Sequence, residues 1–169
     1  MRDKLKFLLI ILISLVFQVT LFSRLPAADF GPDLLLVISF SAGFLQGSKE
    51  GLLVGFTAGF LQDVLLGGNL GLYAIARMLT GGGASLLRGK VYQENFPLVT
   101  LLLLVFTFFH EVLIFLLSEQ VIFRVNFFQT ISYHFIPTSI YTMLVGILLY
   151  LFLYQISAGG EKADGKTGE

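Results

Sequence analysis

Six apolar stretches follow one another along the 169 residues, separated only by short polar links. They cover residues 7–22, 33–46, 51–66, 70–87, 96–117 and roughly 127–156. The links run from three residues at 67–69 to ten at 23–32, so no soluble domain interrupts the series. Charged residues make up 13% of the chain, against about 25% in an ordinary soluble domain. The mean hydropathy is +0.85. A chain of this kind lacks the charge to clothe a water-facing surface, and lipid is the solvent that suits it. The pattern predicts an all-α, polytopic membrane bundle of about six transmembrane helices. One bundle domain is expected over residues 1–156 and a disordered cytoplasmic tail over 157–169, where glycine and charge accumulate.

A spanning helix needs about 20 residues at 1.5 Å rise. The fifth stretch meets that length. The second and third, with 14 and 16 residues, require a thin bilayer, burial inside the bundle or partial re-entry. The sixth is too long for one straight span and contains Pro137. It predicts a kink, or an interfacial lead-in over 127–136 before the span itself. The first stretch follows Arg2, Lys4 and Lys6 like a secretory leader, but its apolar run is long and no Ala-x-Ala site follows. It reads as a retained first helix.

Lys and Arg set the orientation. With a cytoplasmic N-terminus, Arg2, Lys4, Lys6, Lys49, Arg88, Lys90, Lys162 and Lys166 lie inside, against Arg24 and Arg124 outside. Six spans then return the C-terminus to the cytoplasm. The 11 basic residues are balanced by 11 acidic ones, so no cationic excess is available to neutralise nucleic-acid phosphates. The chain has no cysteine, which excludes disulfides, zinc–thiolate sites and a thiol nucleophile. No Gly-x-Ser-x-Gly setting surrounds Ser39, Ser41 or Ser85, and no phosphate-binding loop is present. The residues point to no enzyme and no cofactor.

Glycines recur every four residues at Gly43, Gly47, Gly51, Gly55 and Gly59. A single helix through them would carry Lys49 and Glu50 to mid-membrane, at about 2.5–3.5 kcal/mol for each charge. A hairpin turning at 47–51 avoids this. Gly51, Gly55 and Gly59 then form a smooth face for close helix approach, either inside the bundle or against a partner helix. Gly81, Gly82 and Gly83 form a second small-residue run, suited to close approach or to a local irregularity.

Few ionisable residues fall within the spans. Asp63 lies near the outer end of the third helix, where the dipole disfavours an anion, so it is not a cap of that helix. Arg77 lies about two turns into the fourth. A tight link at 67–69 makes the two helices antiparallel neighbours, with depths that differ by about 6–8 Å. This predicts an Asp63–Arg77 pair, either as a packing clamp or as a functional polar site. His110 and Glu111 lie about 9–11 Å from the outer end of the fifth helix, and His134 about 10 Å into the sixth. Adjacent residues differ by about 100° around a helix, so His110 and Glu111 cannot address one spot. Glu111 is expected neutral or paired at such a depth. Ile114 stands where a His-Glu-x-x-His zinc motif needs its second histidine. Pro32 and Asp33 open the second helix, a favoured setting for capping.

Gly31-Pro32-Asp33-Leu34-Leu35-Leu36 resembles the Pro-Asp-Leu-Leu start of the second helix in the MreD family of rod shape-determining membrane proteins. Gly51-x3-Gly55-Phe56-x2-Gly59-Phe60-Leu61-Gln62-Asp63, followed by Gly68-x-Leu70-Gly71-Leu72, resembles that family's third helix and turn. Pro137-Thr138 and Tyr141-Thr142 resemble its last helix. The resemblance implies a multi-pass protein of the bacterial cytoplasmic membrane that serves the cell-elongation machinery in cell shape and peptidoglycan synthesis. It implies association with MreC, a bitopic protein. Through MreC it implies contact with MreB, RodA and a penicillin-binding protein. The family is similar in fold to the substrate-binding subunits of energy-coupling-factor transporters, which gives an alternative reading as a solute-capture subunit. Those subunits dock through small residues spaced by four in their first helix. Residues 7–22 carry no such face.

Overall fold

A computed structural model describes residues 2–21, 31–66, 70–118 and 131–164. Among them are six α-helices and no strand: α1 (Arg2–Leu21), α2 (Leu34–Gln46), α3 (Ser48–Leu66), α4 (Leu72–Ser85), α5 (Phe96–Leu117) and α6 (Ile136–Asp164). A π-helical turn, Ile131–Phe135, leads directly into α6. Each expected span has its helix, and the fold is the predicted all-α bundle. The links at 22–30, 67–69 and 119–130 lie outside the described residues, as do 165–169.

The centre of the bundle is α2, which meets each of the other five helices. Every residue from Leu34 to Leu45 is buried. This accounts for its length. At 13 residues it measures only about 20 Å, too little to cross a bilayer alone. It does not face lipid, because the other helices enclose it. Two segments, Phe96–Leu117 and Ile131–Ser157, are long and apolar enough to span a membrane independently.

The α2–α3 reversal is tighter than the four residues expected from sequence. Gly47 alone separates the helices, at φ +117°, a conformation that side chains other than glycine's rarely tolerate. Its N–H donates to the Gly43 carbonyl at 3.0 Å. Arg88 and Gln93, from the α4–α5 link, donate to the carbonyls of Gln46 and Phe44. They satisfy acceptors that the end of a helix leaves open.

Pro137 acts by a different geometry from a mid-span kink. It stands where the π turn passes into α6, so its missing N–H falls at a point where the regular α-helical ladder is already interrupted. The chain before it is wound with the wider i→i+5 spacing of a π turn. At the other end, α6 continues to Asp164. Once a helix is formed, each added residue gains a hydrogen bond without a new nucleation cost. Ala158, Glu161, Lys162 and Ala163 are good helix formers.

Candidate functional site

The buried ionisable groups, Asp33, Asp63, Arg77, His110 and Glu111, collect at the end of the bundle where α2 and α4 begin and α5 terminates. Asp33 is their hub. Its side chain caps α2 by accepting the Leu36 N–H at 2.9 Å, as the Pro-Asp start predicts. The same carboxylate receives Nη2 of Arg77 on both oxygens, at 2.8 and 2.7 Å. The Asp33 N–H donates to Thr142 Oγ1 of α6 at 3.0 Å. His110 of α5 brings Nε2 to 3.7 Å from Asp33 Oδ2. One residue thus joins α2 to α4, α5 and α6. The Arg77 side chain is completely buried and that of Asp33 is 10% exposed. Tyr73 lies against the guanidinium, with the Arg77 Cζ 5.3 Å from its ring centre, a cation–π distance.

The expected Asp63–Arg77 pair is therefore corrected. Arg77 is turned toward α2, and Asp63 serves the start of α4. Its Oδ2 accepts the N–H groups of Gly71 and Ala74, each at 3.0 Å, and its Oδ1 that of Tyr73 at 3.1 Å. Gly71, the N-cap of α4, takes φ +98° and has no side chain to offer. Asp63 supplies the missing acceptor from α3. The end of α3 is a poor place for an anion, but the positive N-terminus of the antiparallel α4 lies beside it. Dipole reasoning confined to a single helix misses that neighbour.

The glycine face also has a definite occupant. A Cβ at Gly55 would strike the backbone of Arg77, and one at Gly59 that of Tyr73 and Ala74. At Gly51 it would meet Gly81 of α4 and Gly43 of α2. Gly51, Gly55 and Gly59 therefore pack α3 against α4 inside the bundle, and α4 covers the face a partner helix would need. Of the triple glycine, Gly81 is the point of closest approach. Gly82 and Gly83 meet the side chains of Leu52 and Phe106.

His110 and Glu111 diverge as their spacing requires. His110 Nδ1 lies 3.4 Å from Thr80 Oγ1. Glu111 Oε2 lies 3.8 Å from Nε2 of His134 in the π turn. Thr80 was not distinguishable by sequence from other threonines in apolar helices, and Thr142 stood out only as part of the Tyr141-Thr142 resemblance. Thr138 and Thr142, four apart on α6, were the available signal for a polar stripe. Among the described residues, no three His, Asp or Glu side chains form a metal-holding group.

A family model for the rod shape-determining protein MreD matches residues 1–157, taking in the five preceding helices and α6 as far as Ser157. The chain belongs to the MreD family. No curated protein and no solved structure matches it. Membership makes this a rod shape-determining membrane protein associated with the rod-shape complex. In this MreD-family chain the specific motifs recognised by sequence fall on the packed centre. Pro32 and Asp33 form the hub's base, the glycines the α3–α4 seam, and Asp63 the α4 cap.

Proposed function

We propose that this protein is a non-enzymatic integral scaffold of the bacterial elongation complex, acting by contact. It sits in the cytoplasmic membrane as a multi-pass bundle with both termini inside. It holds the transmembrane helix of an MreC-like bitopic protein and, through it, engages MreB, RodA and a penicillin-binding protein. One observation carries the reading: the buried charges are committed to joining helices. Asp33, Arg77 and His110 fasten four helices together, and Asp63 caps one of them. The exterior is largely apolar, with Phe17, Phe60, Val105 and Leu148 all exposed. Such a body offers surfaces to other membrane helices. The partner surface lies on this exterior, since the glycine face is filled.

Photo-crosslinking residues placed at Phe17, Phe60, Val105 and Leu148, one at a time, test the proposal in intact membranes. A single-span protein captured from one face, together with loss of rod shape on depletion, is the expected result. Capture of lipid alone from all four positions, with normal cell shape after depletion, refutes it. Because the chain has no cysteine, single cysteines at residues 4 and 166 report the sides of the two termini. Labelling of either from outside removes the proposed topology.

A further inference from the structure

Around the hub, several buried polar atoms have no hydrogen-bond partner within the protein. They are Nε and Nη1 of Arg77, Nε2 of His110, Oγ1 of Thr138 and Oγ of Ser139. Arg77 and His110 are fully buried. Both approach the same oxygen, Oδ2 of Asp33, at 2.7 and 3.7 Å. Thr138 and Ser139 precede Thr142 by four and three residues, so they share its face of α6. That face meets Asp33 through the Thr142 hydroxyl. A buried donor left without an acceptor forfeits its hydration, so native proteins rarely leave such groups together.

The hydrogen-bond directions define what fits. The Thr80 hydroxyl donates to the Ala76 carbonyl at 2.8 Å, and so presents a lone pair to His110 Nδ1. The ring hydrogen is thereby assigned to Nδ1, which leaves Nε2 an acceptor. Nε2 then faces a carboxylate oxygen, acceptor to acceptor. A group that donates to both relieves the opposition, and its own oxygen can accept from Arg77 Nε or Nη1. Asp33 and Arg77 neutralise each other at 2.7 Å, so the hub has no net charge left to hold an ion. The occupant is therefore neutral, small, and both donor and acceptor.

We propose that the bundle holds a buried site for a neutral hydroxylic molecule, water in its simplest form, between Asp33, Arg77 and His110, beside the face of α6 that carries Thr138, Ser139 and Thr142. Water offers two donors and two acceptor positions. Buried waters typically make about three hydrogen bonds to groups of this kind. The hydroxyl of a small uncharged solute presents the same chemistry.

Solid-state NMR on the full chain in lipid bilayers tests the site, with arginine and histidine labelled with nitrogen-15 and the aspartate carboxyls with carbon-13. The two histidines are separated by His134→Asn, and Arg77 is assigned by its contact to the Asp33 carboxyl carbon. Magnetisation transferred from water is expected at Arg77 Nε and at the His110 ring, and absent from the helical backbone amides of the same two buried residues. A solvent extract of the purified protein is analysed in parallel by mass spectrometry. Transfer without a stoichiometric solute identifies water. A stoichiometric neutral solute, lost in Thr138→Val with Ser139→Ala, identifies the second source in the same site. Absence of both transfer and solute overturns the proposal, and shows that protein groups alone satisfy these atoms.

Discussion

The α3–α4 seam and the α5–α6 seam join antiparallel neighbours by different means. In the first, backbone meets backbone. Gly51, Gly55 and Gly59 lie directly on the carbonyls and Cα atoms of α4. In the second, side chains fill the gap. Phe135 receives Phe108 and Phe115 edge-on at 6.1 Å, and Phe96 meets Tyr154 at 6.3 Å. Gly146 of α6 illustrates the contrast. A Cβ there would meet the Val37 and Leu103 side chains rather than a main chain. A side chain can change rotamer, but a helix backbone can only move as a body. The glycine seam should therefore be brittle and the aromatic seam adaptable.

The largest effect is expected at the brittle seam. Gly55→Leu or Gly59→Leu should abolish the folded bundle, seen as loss of a monodisperse peak in detergent. Phe60→Leu, on the exposed side of the same helix, should leave it intact. A folded Gly59→Leu protein would erase the contrast between the seams. Next comes the hub. Asp33→Ala or Arg77→Ala should each cost about 3–5 kcal/mol, as expected when one partner of a buried ion pair is removed. The double variant should lose less than the sum.

Asp63→Ala should cost about 2–4 kcal/mol, because it strands three N–H groups at the start of α4. Hydrogen exchange at Tyr73 and Ala74 should quicken. Its effect should add to that of Arg77→Ala within about 0.5 kcal/mol. Strong coupling in that cycle would restore the pair expected from sequence. The smallest effects belong to the adaptable side. Gly146→Ala should lower stability by about 1–2 kcal/mol, measured by thermal unfolding, and clearly less than Gly59→Ala. Equal losses would mean that the side chains of Val37 and Leu103 yield no more readily than backbone.

Much of this architecture is local and could be read from the residues in order. Apolar run lengths gave the number of helices. The cost of carrying Lys49 and Glu50 into lipid placed a hairpin within 47–51, which the structure narrows to Gly47. The Pro32-Asp33 pair marked the cap of α2, and four-residue spacing put Gly51, Gly55 and Gly59 on one face. Each of these follows from chain geometry and hydration energy alone. Two readings failed for a shared reason. Arg77 was matched to Asp63 because a short link joins their helices, while Asp33, 44 residues away, was treated as a cap only. Asp63 was judged against the dipole of its own helix instead of its neighbour's.

The choice of ion partner depends on how α2, α3 and α4 are rotated about their axes and which helix lies between the others. That arrangement is fixed by where backbones can touch, at Gly43, Gly51 and Gly81. The sequence by itself determined the helices, their breaks and their small-residue faces, since these depend on neighbours within a few residues. Only the tertiary structure decided which charges meet. An ion pair in a medium of low dielectric forms with whichever opposite charge packing brings within reach.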